Sequence, residues 1–154
     1  MDTVALKEIQ KWVRKELASC VSFWLEKGID KKHGGIYTCL DRTGRIYSTD
    51  KSVWMQGRCA WTYSYLCNVY GKKAEWMEAA KSCLDFMEDH CINRKLGDRM
   101  YFQVTEDGRP LRQRRYSFSE GFYAIANAEY YGVTGEKVYL DRARKAYKLI
   151  YELN

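Results

Sequence analysis

Residues 41–73 read DRTGRIYSTDKSVWMQGRCAWTYSYLCNVYGKK, and residues 105–137 read TEDGRPLRQRRYSFSEGFYAIANAEYYGVTGEK. The two stretches align without a gap at a separation of 64 positions. Identical pairs at this separation include Tyr37 and Tyr101, Gly44-Arg45 and Gly108-Arg109, Gly57 and Gly121, Ala60 and Ala124, Val69 and Val133, Gly71 and Gly135, Lys73 and Lys137, Ala79 and Ala143, and Lys81 and Lys145. Because glycine occurs where the backbone needs a positive φ or a close approach, matched glycines mark a repeated structural unit.

A long amphipathic helix is predicted before the first repeat, over residues 3–27. Apolar residues recur there every three to four positions, and Gly28 follows the helix end. The residues of this apolar stripe are Leu6, Ile9, Val13, Leu17, Val21 and Trp24.

Each repeat predicts a β-hairpin, an inner helix and an outer helix in that order. The inner helices are apolar nearly all round, which is typical of helices buried on most faces, whereas the outer helices are apolar on one side. We expect Gly71 and Gly135 to end the inner helices in the left-handed conformation. The predicted bounds are residues 35–48, 52–70 and 73–89 in the first unit and residues 100–111, 117–132 and 136–152 in the second.

Stacking of such units predicts an all-α fold with short β-hairpins. A ring of inner helices surrounded by outer helices is an α/α toroid, and a ring of six pairs needs roughly 380 residues. We therefore expect residues 1–154 to be the N-terminal portion of one (α/α)6-barrel domain, with repeat units at residues 35–89 and 100–152. Missing neighbours would leave apolar surface exposed, so the isolated piece should be marginally stable.

The composition excludes several classes of protein. The 154 residues are 46% hydrophobic, which excludes a disordered chain. No run approaches the roughly 20 apolar residues that span a bilayer, and no signal-peptide core is present. The six cysteines contain no CxxC pair, so free, buried thiols are favoured over a disulfide or zinc framework. We expect a cytoplasmic protein without a membrane partner.

A basic cluster lies between residues 109 and 115. It contains four arginines and is followed by Tyr116 and Phe118, within a chain of formal net charge +6. Such a cluster could bind phosphates and stack on bases, but the other charges are mixed in sign and no nucleic-acid recognition motif is present. A solvated hairpin strand is the favoured interpretation, and we expect no nucleic-acid partner.

The polar residues best placed to bind a ligand lie at the start of the first inner helix. Lys51, Gln56 and Arg58 lie among apolar residues, where each needs a partner or a ligand. The guanidinium of Arg58 keeps its charge and offers five donors to sugar oxygens or to an enolate. Its repeat equivalent is Phe122, so the repeat itself does not require a cation there. An ion pair with a carboxylate of a neighbouring unit remains an equal alternative.

The second inner helix repeats this segment with different side chains. Glu120 takes the place of Gln56, and either can accept hydrogen bonds from hydroxyls in a cavity. Phe118 takes the place of Trp54, and aromatic faces suit sugar rings, although aromatic residues at this spacing are more often core.

A set of motifs at these separations resembles the beginning of the N-acylglucosamine 2-epimerase family, also called renin-binding protein. The motifs are Phe23-Trp24, His33-Gly34-Gly35 and the following hairpin, Trp54-Met55-Gln56-Gly57-Arg58, and Phe118-Ser119-Glu120-Gly121-Phe122-Tyr123. The likeness covers nearly the whole chain, and the combination is specific where each motif alone is weak.

The resemblance implies an (α/α)6 barrel that interconverts N-acetylglucosamine and N-acetylmannosamine. It implies proton removal and return at C2 of the open-chain sugar, no required cofactor, and ATP or another nucleotide as an effector that is not consumed. Arg58 matches the family's arginine for the substrate oxygen, in a catalytic and substrate-binding role, and Phe118 matches an aromatic wall position. Trp54, Gln56 and Glu120 belong to the same motifs, and we assign them substrate-binding positions along the cavity.

The histidines that act as general bases in the family lie in later repeats. His33 and His90 are the two histidines of this chain, and we interpret both as structural. The chain alone is therefore expected to be inactive. Alternatives that stay open are an aldose–ketose isomerase or a glucoside-type 2-epimerase of the same fold, and a binding module without catalysis. The expected partner is a small amino sugar, and a homodimer of the parent protein stays open.

Overall fold

A computed structural model describes residues 3–153. The helices are α1 (Thr3–Phe23), α2 (Val53–Tyr70), α3 (Ala74–His90), α4 (Phe118–Thr134) and α5 (Lys137–Leu153). The strands are β1 (Cys39–Leu40), β2 (Ile46–Ser48), β3 (Lys51–Ser52), β4 (Ile92–Asn93), β5 (Arg99–Val104) and β6 (Pro110–Gln113). A π-helical turn extends α1 over Trp24–Gly28, and a 3₁₀ turn at Arg94–Leu96 follows β4. The order hairpin, inner helix, outer helix thus occurs twice, as predicted.

The two inner helices, α2 and α4, lie side by side. α3 packs against both of them, and α5 packs against α4. At the crossing of α2 and α4, a Cβ atom on Gly57 would lie 2.8 Å from Cβ of Phe122 and 2.9 Å from its carbonyl oxygen. The inner helices can approach this closely because Gly57 has no side chain. At the equivalent position of α4, a Cβ on Gly121 would have no heavy atom of the described residues within 4 Å apart from its chain neighbours and the backbone of its own helix.

This difference predicts opposite effects for the same substitution at two equivalent positions. Gly57→Leu should lower the free energy of unfolding by about 1–3 kcal/mol, because the new side chain forces α2 and α4 apart. Gly121→Leu in this chain should cost nothing and can add up to ~1 kcal/mol, because leucine favours a helix over glycine. Urea unfolding followed by circular dichroism measures both. Equal losses at the two sites would contradict this packing.

The short strands connect the two units. β1 pairs antiparallel with β2, and β3 pairs with β5 of the second hairpin, with Lys51 opposite Val104. β5 also pairs with β6 and with β4. Because β3 directly precedes α2, the second hairpin is held against the start of the first inner helix.

The buried ammonium group of Lys51 also connects the start of α2 with the second hairpin. Its ammonium group is fully buried and donates to Asp30 Oδ2 at 2.7 Å, to the Gly34 carbonyl at 2.7 Å and to the Glu106 carbonyl at 2.9 Å. Burial raises the pKa of Asp30, but the hydrogen bonds from Lys51 and from the backbone outweigh it and lower the pKa below its ordinary value. The partner that the sequence required for Lys51 is therefore structural.

The ends of the inner helices differ from each other. Gly135 ends α4 in the left-handed conformation, with φ 74° and ψ 2°, as predicted. Gly71 ends α2 with φ 95° and ψ 153°, which is not the left-handed helical conformation expected for it. Lys73, directly before α3, is also extended. The connection from α2 to α3 therefore differs from the connection from α4 to α5.

The apolar stripe of α1 is buried only at its C-terminal end. Leu17, Val21 and Trp24 pack against the core, whereas Ile9 is 56% exposed and Val13 is 48% exposed. The predicted helix is present, but none of its residues is fully buried. Most of its apolar stripe therefore lacks a packing partner among the described residues. Within residues 3–153, no helix combines the length and the apolar character that crossing a membrane requires.

The six cysteines are free, and three of them are buried as expected. Cys67, Cys83 and Cys91 lie in the core, whereas Cys20 is exposed. Burial raises the pKa of the Cys91 thiol, so it is protonated and unreactive at neutral pH.

Candidate functional site

Trp54 is the centre of an aromatic cluster where α2, α4 and β5 meet. Its ring centroid lies 5.2 Å from that of Phe102, 5.3 Å from that of Phe118 and 5.9 Å from that of Phe122. The indole Nε1 donates a hydrogen bond to Ser119 Oγ at 3.0 Å, which fixes the orientation of the ring. Trp54 remains partly exposed, so one part of this rigid aromatic surface is open to a ligand.

Arg58 lies one turn further along α2, on its exposed side. Its guanidinium carbon is 5.9 Å from the Phe122 ring centroid, and the residue lines a cavity of ≈ 310 Å³ between α1 and α2. No carboxylate among residues 3–153 forms an ion pair with Arg58. Its five donors are therefore available to a ligand or to a part of the protein outside these residues.

Phe118 begins α4 and is 58% exposed. It meets Trp54 edge to face and lies 6.2 Å from the Tyr116 ring. Phe122 links the two parts, since its ring centroid lies 5.9 Å from that of Trp54 and 5.9 Å from the guanidinium carbon of Arg58. A permanent cation beside an open aromatic wall can bind the oxygens of a sugar while its carbon face stacks.

Gln56 has a different role from the cavity-lining one predicted for it. It is fully buried, its Oε1 accepts the Ile36 N–H at 2.8 Å, and its Nε2 donates to the Ile36 carbonyl at 2.7 Å. The side-chain amide thus pairs with the Ile36 backbone as a neighbouring β-strand would, and this holds the segment that leads into the first hairpin against α2. Because Gln56 is fully buried, its second N–H and its second lone pair are not accessible to a sugar hydroxyl.

Glu120 has the equivalent role in the second unit. It is 1% exposed, and its Oε1 accepts the Met100 N–H at 2.8 Å and Arg99 Nε at 2.7 Å. Because a carboxylate cannot donate, the Met100 carbonyl takes its hydrogen bond from Gln113 Nε2 at 2.7 Å instead. The free Oε2 has no hydrogen-bond partner among the described residues. Glu120 lines a cavity of ≈ 290 Å³ beside the outer helix α5, away from Arg58.

The sequence contained a signal for this role that only the repeat alignment reveals. Ile36 and Met100 are 64 positions apart, as are Gln56 and Glu120, so the polar residue of each inner helix is paired with its own hairpin. Gly35 allows this contact in the first unit, since a Cβ there would lie 2.5 Å from Gln56 Oε1. Ser119 and Phe102, which orient and extend the aromatic wall, were not predicted.

The two histidines lie away from the aromatic wall. His33 and His90 both line a cavity beside α3. The His90 ring packs on Phe86 with centroids 5.0 Å apart and lies directly beneath Gly108 of the second hairpin. His33 is the last residue of the turn before Gly34, and its backbone N–H donates to Asp30 Oδ1 at 3.0 Å. The His33 Nε2 atom is buried and has no hydrogen-bond partner among the described residues. A structural role for the two histidines stays a prediction.

Of the four arginines of the basic cluster, Arg112 lies on strand β6, Arg109 precedes the strand, and Arg114 and Arg115 follow it. All four residues of β6 are exposed, and the guanidinium carbon of Arg112 lies 5.9 Å from the Phe102 ring centroid. Arg112 thus belongs to the solvated strand that the sequence favoured. Arg114 is half-buried, with its guanidinium carbon 4.7 Å from the same centroid, and its Nε has no hydrogen-bond partner among the described residues.

Sequence comparison identifies relatives over most of this chain. The family described as N-acylglucosamine 2-epimerase (GlcNAc 2-epimerase) matches residues 35–153. The N-acylglucosamine 2-epimerase of Rattus norvegicus is 39% identical over 136 residues, which cover 85% of this chain and 32% of the relative. The Homo sapiens protein of the same name is 39% identical over 140 residues, covering 88% and 33%. A cellobiose 2-epimerase of Dictyoglomus turgidum is 27% identical, covering 86% and 34%.

Solved structures share the fold. The cellobiose 2-epimerase from Bacillus thermoamylovorans B4167 superposes with a TM-score of 0.84 at 26% identity, covering 94% of this chain and 37% of that structure. The cellobiose 2-epimerase from Spirochaeta thermophila gives 0.79 at 25% identity, covering 96% and 37%. A glycoside hydrolase family 76 mannosidase from Bacteroides thetaiotaomicron gives 0.69 at 22% identity, covering 84% and 35%, which is a likeness of fold alone.

These comparisons confirm the predicted architecture of hairpin–helix–helix units in part of an (α/α)6 toroid. The chain spans about one third of the length of the curated relatives that it matches. The family match covers residues 35–153, which include both inner helices and every predicted site residue. This chain belongs to the N-acylglucosamine 2-epimerase family.

Proposed function

We propose that this chain is the N-terminal part of a sugar 2-epimerase that interconverts N-acetylglucosamine and N-acetylmannosamine. The observation that carries the proposal is Arg58, a cation without an ion-pair partner in residues 3–153, beside an aromatic wall in a chain of this family. Arg58 is exposed, so its guanidinium is accessible to a ligand.

The proposed reaction needs a proton to leave C2 and to return on the opposite face. In the open-chain sugar, C2 lies next to the aldehyde, so the electron pair left by the proton moves into the carbonyl and gives an enolate. Arg58 would hold this oxygen by charge-assisted hydrogen bonds that are strongest when the negative charge has developed. The reverse electron movement takes up a proton at C2 and restores the aldehyde.

The general bases are expected outside residues 3–153. His33 and His90 line a cavity beside α3 that Arg58 does not line, so we propose that histidines of later repeats exchange the C2 proton. Trp54 and Phe118 would form the wall against which the sugar stacks. Gln56 and Glu120 would support the site by holding the hairpins, without contacting the sugar.

A glucoside-type 2-epimerase is the second candidate, because cellobiose 2-epimerases are among both the sequence relatives and the solved structures. The same C2 chemistry would serve a reducing-end glucose. Identity favours the acylamino sugar, at 39% to the rat protein against 27% to the cellobiose 2-epimerase. We further propose a nucleotide as an effector that is not consumed.

The test uses the full-length parent protein in deuterated water, with N-acetylmannosamine and cellobiose as separate substrates and with ATP present or absent. Conversion of N-acetylmannosamine to N-acetylglucosamine carrying deuterium at C2, followed by proton NMR, is the expected result. Turnover of cellobiose but not of N-acetylmannosamine would support the glucoside-type 2-epimerase instead. Epimerisation without deuterium at C2 would contradict the proton-transfer route. If neither sugar were turned over, the proposed epimerase activity would be contradicted.

The hydrogen bond between Trp54 and Ser119 predicts a selective effect on substrate binding. Ser119→Ala leaves the indole N–H without its acceptor and loosens the aromatic wall, so KM should rise by about three- to tenfold, equivalent to ~1 kcal/mol, with kcat nearly unchanged. Ser64→Ala is the matched control, since Ser64 is a buried serine of α2 that bonds only the Ala60 carbonyl. Equal KM values for the two variants would contradict an orienting role for Ser119.

A further inference from the structure

Arg114 is a second arginine that lies against the aromatic wall. Its guanidinium carbon is 4.7 Å from the Phe102 ring centroid, and Phe102 in turn meets Trp54 edge to face, with centroids 5.2 Å apart. Arg114 is half-buried, and its Nε is buried without a hydrogen-bond partner among the described residues. No carboxylate of residues 3–153 forms an ion pair with it. Because a buried donor without an acceptor is unfavourable, this guanidinium needs an oxygen that residues 3–153 do not supply.

The repeat does not require a cation at this position. The equivalent of Arg114 in the first unit is Asp50, which has the opposite charge. Asp50 Oδ2 accepts a hydrogen bond from Gln103 Nε2 of the following hairpin at 3.4 Å. Arg114 lies instead on Phe102, a ring of its own hairpin. As with Arg58, a cation stands beside the aromatic wall where the other unit has none.

The backbone that carries Arg114 is held by a mostly buried ion pair. Arg99 Nη2 lies 3.0 to 3.5 Å from the carbonyl oxygens of residues 114–116. Arg99 Nε donates to Glu120 Oε1 at 2.7 Å, and the side chains of Arg99 and Glu120 are 14% and 1% exposed. The repeat equivalent of Arg99 is Gly35, so the first unit has no such contact. The segment before α4 is therefore fixed in advance, as a binding residue requires.

The two arginines lie at opposite ends of the aromatic wall. Trp54 is at the start of α2, next to the hairpins, and Arg58 follows it by one turn, about 6 Å further along the helix axis. Arg114 belongs to the hairpin end, because it follows β6 and lies on a ring of β5. Trp54 therefore lies between the two cations. This arrangement suits an extended molecule with oxygens at both ends and a carbon face between them.

We propose that Arg114 is a second substrate-binding residue, which donates a hydrogen bond to the oxygen at C6 of the sugar. The inference rests on the proposed function, in which Arg58 binds the oxygen at C1. In an open-chain hexose C6 is the end opposite C1, so a sugar that lies along Trp54 with C1 at Arg58 presents C6 to the hairpin end. Arg114 takes no part in the proton transfer at C2, so it contributes to binding and to the choice of substrate. A site that binds a substrate hydroxyl in this way rejects an analogue that lacks the hydroxyl.

The test uses the full-length parent protein with N-acetylmannosamine and its 6-deoxy analogue, which lacks the C6 oxygen. The parent should favour N-acetylmannosamine in kcat/KM by about tenfold or more, because the analogue cannot form the hydrogen bond to the guanidinium. Arg114→Gln should raise KM for N-acetylmannosamine and reduce this preference to about twofold or less. Arg112→Gln is the matched control and should keep the preference, since Arg112 is exposed on β6 with its guanidinium carbon 5.9 Å from the same ring.

The preference is a ratio of two sugars measured on one enzyme preparation. A variant that folds poorly changes both values by the same factor, so the ratio reports the contact with C6 and not the amount of folded enzyme. An active parent without the preference, or one whose preference is the same in Arg114→Gln, would overturn this inference alone. An inactive parent would contradict the proposed function as well.

Discussion

Replacing Arg58 by alanine in the full-length protein is expected to reduce kcat for epimerisation by a factor of about 100 or more. The guanidinium lies beside the Phe122 ring with no carboxylate of residues 3–153 to neutralise it, so its charge is available to the enolate oxygen. Losing one preorganised donor to a developing oxyanion typically costs ~10²–10³ in rate. Steady-state kinetics on N-acetylmannosamine measure the effect.

Two further variants separate charge and geometry from general damage. Arg58→Lys keeps the charge but loses the planar fork, so its activity should lie between those of the parent and Arg58→Ala. Arg45→Ala removes an exposed hairpin arginine that pairs only with Asp41, and it should leave kcat unchanged. An Arg58→Ala enzyme with full activity would remove Arg58 from the mechanism.

Lys51→Met is expected to lower the free energy of unfolding by about 3–5 kcal/mol. The substitution keeps the volume of the side chain but leaves the buried carboxylate of Asp30 without its partner, and an unpaired buried charge is strongly unfavourable. It also removes the bond to the Glu106 carbonyl, which connects the first unit with the second hairpin. Urea unfolding at pH 7 measures the loss, with Lys72→Ala at an exposed position as the control.

The pH dependence gives a second measurement of the same ion pair. The pKa of Asp30 is lowered in the folded protein, so its contribution to stability is present above the unfolded value of 3.8 and is lost as pH falls through the folded pKa. The difference between the parent and Lys51→Met should therefore shrink as pH falls below about 4. A difference that is constant from pH 7 to pH 3 would contradict the ion pair.

The fold could be predicted because the repeat and the helical periodicity give the same answer. The glycine pairs defined the unit, and the helix bounds follow from the apolar pattern and from Gly71 and Gly135. The pattern could not tell which apolar faces have a neighbour. Ile9 belongs to the predicted apolar stripe and Ile125 to an inner helix predicted to be buried on most faces, yet they are 56% and 48% exposed among residues 3–153.

The candidate site could be predicted only in part. Arg58 stands out in the sequence because its repeat equivalent is Phe122, and Phe118 because it keeps the aromatic character of Trp54. The structure places Phe118 against Trp54 and Arg58 beside Phe122. A sequence shows that Gln56 and Glu120 need partners but not in which direction their side chains point. The partners are backbone groups of Ile36 and Met100, which no side-chain pattern reveals.

The central claim is that Arg58 contacts the sugar while Gln56 and Glu120 only hold the hairpins. The crystal structure of the full-length protein with N-acetylglucosamine bound tests it most directly. We expect a guanidinium nitrogen of Arg58 within about 3 Å of a sugar oxygen, with Trp54 and Phe118 against the ring and Gln56 still paired with Ile36. A sugar bound elsewhere, with Arg58 in an ion pair with a carboxylate of a later repeat, would contradict the claim.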